Sequence, residues 1–553
     1  MPSLSPWFVA LLGIAALSSV FASPTRTIPR TPPPTSPFAT ASGGGLVING
    51  SKFSFIGTNA YWLPYLNSDD DISKTLADMS ASGITVVRTW AFNDVTEIPE
   101  AGSWLQLIAN GTTTINTGPN GLQRLDKIIE LAAEHNIYVL FSLTNNWNPV
   151  ANEPPTPVRR HNETPLPRNF LSNDYGGMDA YVREFTETKT HDEFYTNQSV
   201  RKFFEQYLQA VISRFADNPR LLAWELANDP RCSSSLVSSP SCTTQTITQW
   251  HSDIAKFVLS IDPNHLVTSG NQGFFCPDCP KLFFNPSPPP NPVASPVPGG
   301  TRKRSTRGLM GPSKLFQMIT KERRAASRAS APRNGIKIRG RWTASSEAKR
   351  QAGGIGSAFD GSFGVDSQDI LSIPEIGFGS FQLFPDQNSY GTIPTQFTPP
   401  SSDFTGTVQQ GTAWIQAQAA SALAVGKPVA LTGFGLVTQD NFPAFVPFNA
   451  TFPVATSPNQ KRQSTGSFGT GVTDDQRLSA YATWLQAGIQ AGLSGMTQYQ
   501  WSQQNLQPAA GTFVQSPNGP GTLGTSPNDG YGILGTGESG IQQTLQTASQ
   551  NIT

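Results

Sequence analysis

Charged residues and histidines are scarce in this chain of 553 residues. Asp, Glu, Lys and Arg make up 14% of the residues, there are five histidines, and the formal net charge is zero. A chain without net charge has no global attraction to nucleic acid or to an anionic surface. We therefore expect no nucleic-acid partner.

Long apolar runs are also missing. No segment reaches the ~18 consecutive apolar residues that indicate a transmembrane helix. A shorter apolar run, Trp7 to Phe21, ends in Val20-Phe21-Ala22, which is a small-x-small cleavage pattern. We predict a secretory signal peptide at residues 1–22, no membrane span and an extracellular protein. Asn-x-Ser/Thr sequences that favour export and glycosylation occur at Asn49, Asn110, Asn162, Asn197, Asn449 and Asn551.

Cysteine is rare, with four residues in the chain: Cys232, Cys242, Cys276 and Cys279. An even number in an exported chain predicts two disulfides, and four cysteines allow three pairings. We favour the two shortest loops, which join residues 232 to 242 and 276 to 279. A zinc site would need a second compact Cys-x₂-Cys pair, so we expect no metal.

The charges are unevenly distributed. Residues 302–350 contain fifteen Lys or Arg and two Glu. They belong to a low-complexity basic segment, 286–360, which we expect to be a disordered insertion. A processed segment and an error in the gene model stay open as alternatives. Residues 23–44, rich in Thr, Pro and Gly, are predicted to be a disordered linker, followed by one folded domain over 45–553.

Strand-like and helical patterns alternate along the folded domain. Near-continuous apolar runs predict eight strands, at Phe53–Thr58, Ile84–Trp90, Ile137–Leu143, Leu221–Leu226, His265–Ser269, Phe378–Phe384, Pro428–Phe434 and Gly495–Trp501. Helical periodicity predicts helices at Leu122–His135, Val200–Phe215, Trp250–Ile261, Ala413–Ala424 and Asp475–Ala491. This alternation predicts an α/β fold, a (β/α)8 TIM barrel with the insertion between strands 5 and 6.

The fourth predicted strand runs into Trp224-Glu225-Leu226-Ala227-Asn228-Asp229-Pro230-Arg231-Cys232. This stretch resembles the Trp-Glu-Leu-x-Asn-Glu-Pro-Arg-Cys segment of fungal endo-β-1,4-mannanases of glycoside hydrolase family 5. Val87–Asp94, Asp262–Thr268 and Asn528–Ile533 also resemble segments of that family. The resemblance runs from about Phe53 to Ile533, with gaps at the insertion. It implies β-mannan or a related wall polysaccharide as the ligand, and we expect a monomer without a cofactor.

The two catalytic positions implied by the resemblance are both substituted. Retaining glycosidases need an acid/base and a nucleophile, with carboxyl groups ~5–5.5 Å apart. The acid/base position holds Asp229, which is one methylene shorter than the family's glutamate. The nucleophile position lies between Lys427-Pro428-Val429 and Phe434-Gly435-Leu436 and holds Gly433, which has no carboxylate. We therefore expect hydrolysis by the usual mechanism to be impaired or lost.

Other positions around this pair depart as well. The family's active-site histidine and tyrosine on strand 6 become Gln382 and Phe384, and its sugar-stacking tryptophan on strand 8 becomes Tyr499, with Trp501 as the alternative. Together with these three, the resemblance predicts substrate contacts at Arg88, Asn228, Trp62 and Trp147. The aromatic residues among them are equally compatible with a core role.

Three hypotheses about function follow. The first is that the chain is an active endo-mannanase. The second is that it is a secreted protein that binds carbohydrate without catalysis. The third is that it is a decayed barrel that neither binds nor hydrolyses carbohydrate. We further expect Arg88 to pair with Asp229 or Glu225, Glu225 to be a paired acid inside the barrel, and Asp386 to cap a loop.

Overall fold

A computed structural model describes residues 36–151, 153, 166–284, 336–338, 341–343, 358–387, 404–451, 471–516, 519, 521–533 and 538–552. The predicted signal peptide and residues 23–35 of the predicted linker lie outside this part of the chain. So does most of the 286–360 insertion, from which only two short strands and residues 358–360 are described.

Eight parallel strands form a closed barrel, which confirms the predicted fold. We call them barrel strands 1 to 8; they are β4 (Phe55–Asn59), β5 (Val86–Trp90), β9 (Tyr138–Ser142), β10 (Leu221–Glu225), β11 (Leu266–Thr268), β14 (Gly379–Leu383), β15 (Val429–Phe434) and β16 (Gly495–Gln498). Neighbours along this order are hydrogen bonded, and a bridge between Thr268 and Phe378 joins strands 5 and 6. Seven of the eight predicted strands contain one of them in full, and the first, Phe53–Thr58, covers all of β4 except Asn59.

Burial on both faces explains why these strands are nearly continuous apolar runs. Every residue of Val86–Trp90, Leu221–Glu225 and Val429–Phe434 is buried. Space inside the barrel is tight enough to require glycine at residue 495, because a Cβ there would lie 2.0 Å from Cζ of Phe55. The barrel interior is therefore a packed core, as in other barrels of this class.

Helices cover the outer face of the barrel. They are α1 (Asp69–Ala81), α2 (Gln123–Glu134), α3 (Met178–Phe185), α4 (Glu193–Thr196), α5 (Gln198–Phe215), α6 (Thr244–Ile261), α7 (Ser367–Leu371), α8 (Phe404–Val425), α9 (Asp474–Ala491) and α10 (Glu538–Asn551). All five predicted helices are present. Side-chain caps stabilise the N-termini of two of these helices. The Asn197 side chain accepts hydrogen bonds from the first-turn amides of α5, and Thr473 with Gln476 forms a capping box on α9.

A small antiparallel sheet packs on the N-terminal end of the barrel. It consists of β1 (Thr40–Ser42), β2 (Gly45–Ile48) and β3 (Ser51–Phe53). Ala39 and Leu46 join a buried cluster with residues of five barrel strands and with Phe378, which directly precedes barrel strand 6. The strand residues are Phe55, Val86, Leu140, Leu222, Ala223 and Ala430. Residues 40–42, which lie within the predicted disordered linker, form strand β1, so the disorder predicted for these three residues is wrong.

The remaining strands lie in the connections. They are β6 (Asp94–Val95), β7 (Gln106–Ala109) and β8 (Thr112–Ile115) after barrel strand 2, β12 (Ile336–Ile338) and β13 (Arg341–Thr343) in the insertion, and β17 (Gln504–Leu506) and β18 (Gly524–Thr525) after barrel strand 8. Disulfides join Cys232 to Cys242 and Cys276 to Cys279, which confirms the favoured pairing. Among the described residues, no helix is long and apolar enough to cross a membrane.

Candidate active site

Asp229 follows barrel strand 4 in a left-handed backbone conformation, with φ of 55°. Its Oδ2 accepts hydrogen bonds from Nε1 of Trp147 at 2.9 Å and Nε2 of Gln272 at 3.2 Å, and its Oδ1 accepts one from Nε of Arg231 at 2.8 Å. The residue is 1% exposed. Both carboxylate oxygens are therefore engaged by protein donors.

The charge state of Asp229 reflects two opposing effects. Burial raises the pKa of this carboxyl, while the Arg231 guanidinium and the hydrogen bonds from Trp147 and Gln272 lower it in part. A general acid must reach the glycosidic oxygen to within hydrogen-bonding distance. The carboxyl of Asp229, which the resemblance assigns to the acid/base position, is held by its own neighbours.

Arg88 on barrel strand 2 forms a buried ion pair with Glu225 on barrel strand 4. Its Nε donates to Oε2 of Glu225 at 2.9 Å and its Nη2 donates to Oε1. The same guanidinium donates to the side-chain oxygens of Asn59 and Asn228, each at 2.8 Å. The expectation that Glu225 is a paired interior acid is confirmed, and of the two partners proposed for Arg88 the structure has Glu225.

Gln382 extends this polar network from barrel strand 6. Its Nε2 donates to Oδ1 of Asn228 at 3.0 Å, so one amide oxygen serves both Gln382 and Arg88. The Nδ2 of Asn228 donates to Oδ1 of Asn145 at 2.9 Å. A neutral amide at residue 382 supplies a hydrogen bond to the network but has no proton to relay near neutral pH.

Gly433 lies in barrel strand 7 and pairs with Gln382 in the neighbouring strand. A Cβ built on Gly433 would have Cζ of Phe384 at 3.0 Å, Cε2 of Phe384 at 3.3 Å and Nδ2 of Asn59 at 3.9 Å as its nearest neighbours. None of these three atoms belongs to a carboxylate. The ring of Phe384 thus lies beside the space that a side chain at residue 433 would enter.

Tyr499 follows barrel strand 8 and packs edge-to-face on Phe384, with ring centroids 5.3 Å apart. Its hydroxyl donates to Oδ2 of Asp529 at 2.8 Å, and the hydroxyl of Ser172 donates to the same oxygen at 3.1 Å. Burial raises the pKa of Asp529 to about 6. The carboxylate that partners Tyr499 has no local sequence signal, because thirty residues separate the two.

The two predicted tryptophan contacts lie in different surroundings. Trp62 is fully buried, and its ring packs against Phe513 with centroids 6.2 Å apart. Trp147 is half-buried and lies 5.2 Å from the Arg231 guanidinium, measured to its ring centroid. Trp62 has the placement of a core residue, whereas Trp147 is placed where a ligand can touch it.

Side chains close to Asp229 complete the site on one side. The Arg231 guanidinium also lies over Phe274 at 4.9 Å and Phe363 at 4.5 Å.

Asp386 accepts a hydrogen bond from the backbone amide of Val437 at 3.1 Å, which confirms its loop-capping role. Within the described ranges, no group of three or more His, Cys, Asp or Glu residues could hold a metal ion.

Residues 36–285 match a family model described as GH family 5 beta-mannosidase-like. Mannan endo-1,4-beta-mannosidase F of Aspergillus fumigatus is 38% identical over 255 residues, which are 45% of this chain and 50% of that protein. Mannan endo-1,4-beta-mannosidase A of Aspergillus aculeatus is 36% identical over 268 residues, which are 48% of this chain and 61% of that protein. The chain thus spans about half the length of these relatives, and it resembles the family 5 mannanases.

Solved structures support the same fold. The endo-1,4-beta-mannanase of Rhizomucor miehei superposes with a TM-score of 0.57 at 23% identity, covering 93% of this chain and 99% of that one. The endo-beta-1,4-mannanase of Thermotoga petrophila gives a TM-score of 0.52 at 20% identity, covering 91% and 78%. At these identities, the similarity shows a shared barrel.

Proposed function

We propose that this chain is a secreted glycoside hydrolase family 5 protein of the β-mannanase type in which hydrolysis by the two-carboxylate mechanism is impaired or lost. Its ligand is β-mannan or a related wall polysaccharide, as the names of its relatives suggest. We further propose that the protein is a monomer and that it uses no cofactor, since glycoside hydrolysis in the family that it resembles needs only carboxyl groups and water.

One observation carries the proposal. Gly433, which the resemblance assigns to the nucleophile position, has no side chain, and Cζ of Phe384 lies 3.0 Å from where a Cβ would be. A retaining mechanism needs a carboxylate there to form the glycosyl-enzyme intermediate. The remaining carboxyl, Asp229, accepts hydrogen bonds from Trp147, Gln272 and Arg231 and is nearly inaccessible.

A second candidate is a carbohydrate-binding protein of the cell wall or extracellular matrix without any catalysis. Half-buried Trp147 and Asn228 favour it, since an aromatic face beside an amide is a common surface for sugars. Export is supported by the apolar N-terminal run, by the two disulfides, and by exposed sequons at Asn49 and Asn110.

The deciding experiment measures new reducing ends from galactomannan and binding of manno-oligosaccharides by calorimetry. We expect the wild type to release no more ends than Asp229→Ala while it still binds the oligosaccharides. Release above the Asp229→Ala level would overturn the loss of hydrolysis. Absence of binding would overturn both candidates and favour a decayed barrel.

A gain-of-function pair tests the missing nucleophile directly. The double variant Gly433→Glu/Phe384→Tyr restores the carboxylate and the hydroxyl that the family places beside it. Its matched control is Gly433→Gln/Phe384→Tyr, which has nearly the same volume but no nucleophilic carboxylate. We expect hydrolysis only in the first variant, and equal activity in both would show that residue 433 does not limit the reaction.

A further inference from the structure

A cleft lies between α1 and α10 on the outer wall of the barrel, and the loop after barrel strand 8 forms its third side. Its volume is about 610 Å³, within the ~300–1,000 Å³ of small-molecule sites. Asp229 lies elsewhere, at the C-terminal mouth of the barrel, because barrel strands 4 and 8 are four positions apart in the ring. We call this cleft the amide cleft, because six amide side chains line it: Gln503, Gln504, Asn505, Gln542, Gln543 and Gln546.

The two charged side chains that line the amide cleft are paired with each other. Nζ of Lys74 lies 2.6 Å from Oδ2 of Asp78, and Nε2 of Gln503 donates to the same oxygen at 2.8 Å. Gln503 and Trp501 are buried, and Nε1 of Trp501 donates to Oε1 of Gln503 at 3.2 Å. One lysine and one aspartate give the lining no net charge, so electrostatics favours neither an anionic nor a cationic ligand.

Other amides of the cleft are open to solvent. Gln504 and Asn505 on the loop and Gln543 on α10 are exposed, and they belong to two different walls. Each side-chain amide carries both hydrogen-bond donors and an acceptor. The hydroxyl groups of a sugar also donate and accept, so a neutral, hydroxyl-rich ligand matches this lining.

Helix α10 turns its amides toward the cleft and its apolar side chains toward the barrel. Ile541 and Leu545 are buried in the hydrophobic core, whereas the three glutamines of this helix named above line the cleft. A solvent-facing side of a helix ordinarily carries charged residues, but Glu538 is the one charged residue in the sequence of α10. The polar face of α10 is therefore specialised in neutral hydrogen-bonding groups.

We propose that the amide cleft is a second carbohydrate site, which binds a segment of a neutral polysaccharide through hydrogen bonds to its amides. It is separate from the mouth of the barrel, where Trp147 and Asn228 are half-buried. The choice of β-mannan as the polysaccharide rests on the proposed function.

Affinity electrophoresis through gels that contain soluble galactomannan tests this inference, because retardation of the protein reports binding. We expect the wild type to be retarded, and Trp147→Ala, which weakens binding at the mouth, to be retarded less but still measurably. Loss of all retardation in Trp147→Ala would overturn the second site and leave the proposed binding at the mouth intact. Retardation that Trp147→Ala leaves unchanged and the cleft variants abolish would support the cleft and contradict binding at the mouth. A wild type without retardation would overturn both.

The cleft variants are compared in the Trp147→Ala background. Gln504→Ala/Gln543→Ala removes one amide from each of two walls and should weaken association about tenfold, through the loss of two hydrogen bonds. Ala81→Trp, at the exposed last residue of α1, keeps every amide but fills the cleft and should abolish the remaining retardation.

The matched control is Gln550→Ala, which removes an exposed glutamine of α10 that does not line the cleft and should leave retardation unchanged. Unchanged retardation in both cleft variants, with folded protein verified by circular dichroism, would contradict a site in the amide cleft.

Discussion

Barrel strands 2 to 4 and barrel strands 6 to 8 line two sides of the same mouth. The two sides differ in the charge and polarity of their side chains. On the first side, Arg88 and Glu225 form a buried ion pair, and Arg88 also donates hydrogen bonds to the side chains of Asn228 and, on barrel strand 1, of Asn59. On the second, Gly433 and its neighbours are neutral or aromatic. The family match covers residues 36–285, which include the first side and end before the second.

This difference indicates that the barrel fold and the hydrolysis reaction depend on different side chains. The second side still pairs strand to strand, because backbone hydrogen bonds do not need a particular side chain at residue 433. The two residues that the resemblance marks as substituted, Gly433 and Phe384, are also compatible with each other. Without a carboxylate at residue 433, a tyrosine hydroxyl at residue 384 would lose a hydrogen-bond partner, and a phenylalanine ring packs there instead. The first side cannot change one member alone, since its charges are buried together.

The largest expected effect comes from breaking the ion pair of the first side. Arg88→Met leaves Glu225 buried without its partner and should lower the free energy of unfolding by about 3–5 kcal/mol. Chemical denaturation measures the loss. The double variant Arg88→Met/Glu225→Leu should recover most of it, because neither charge then remains buried. A loss below about 1 kcal/mol in the single variant would contradict the importance of this pair.

A smaller effect is expected on the second side. Gly433→Ala places a methyl group 3.0 Å from Cζ of Phe384 and should cost about 1–3 kcal/mol through overpacking. Combining it with Phe384→Leu should cost less than the sum of the two single variants, because the shorter side chain makes room. Strict additivity in denaturation measurements would show that the two positions are not coupled.

The pH dependence of stability separates two buried carboxyls. Burial raises the pKa of Asp94, after barrel strand 2, to about 8, and that of Asp529, after barrel strand 8, to about 6. Unfolded carboxyls ionise near pH ~4. Both groups therefore contribute full stability below about pH 4 and lose it as pH rises through their folded values.

We expect the free energy of unfolding to fall between about pH 4 and 8. Asp529→Asn should flatten this fall between about pH 4 and 6, and Asp94→Asn should flatten it over the whole range up to about pH 8. Denaturation curves at several pH values measure both effects. Stability that rises over this range, or curves that neither variant alters, would show that these carboxyls are ionised in the folded protein.

The smallest effect should come from a charge pair outside both sides. Lys74 and Asp78 form an i,i+4 pair on α1 with an N–O distance of 2.6 Å, and both side chains are nearly half exposed. Lys74→Ala should change the free energy of unfolding by no more than about 0.5 kcal/mol. It serves as the baseline for Arg88→Met, and a comparable loss in both would remove the contrast between buried and exposed pairs.

Sequence patterns predicted the parts of this protein that depend on local periodicity. The eight barrel strands and five of the helices follow from apolar spacing, and the Arg88–Glu225 pair was among the expected alternatives. Helix α10 was not predicted; its residues, Glu538–Asn551, include many glutamines, threonines and serines and few apolar positions. Strand β1 was also not predicted, because its Thr- and Gly-rich stretch forms a strand only through its pairing with β2.

Contacts between distant loops had no signal in the sequence. Ser172 reaches Asp529 and Asn173 reaches Phe448 across separations of 357 and 275 residues. Hydrogen bonds of this kind depend on where the barrel places its loops, and no local spacing encodes them. The hydrogen bonds that Trp147 and Gln272 donate to Asp229 likewise became visible only once the strands were assembled.

The sheet β1–β3 at the N-terminal end of the barrel has a consequence for the order of folding. Its buried cluster joins Ala39 and Leu46 to Phe378 and Ala430, which are synthesised hundreds of residues later. Contacts between residues so far apart in sequence must overcome the entropy of closing a long loop and form late. This end of the barrel is thus begun by residues of β1–β3 and is completed only when the residues of barrel strands 6 and 7 have been synthesised.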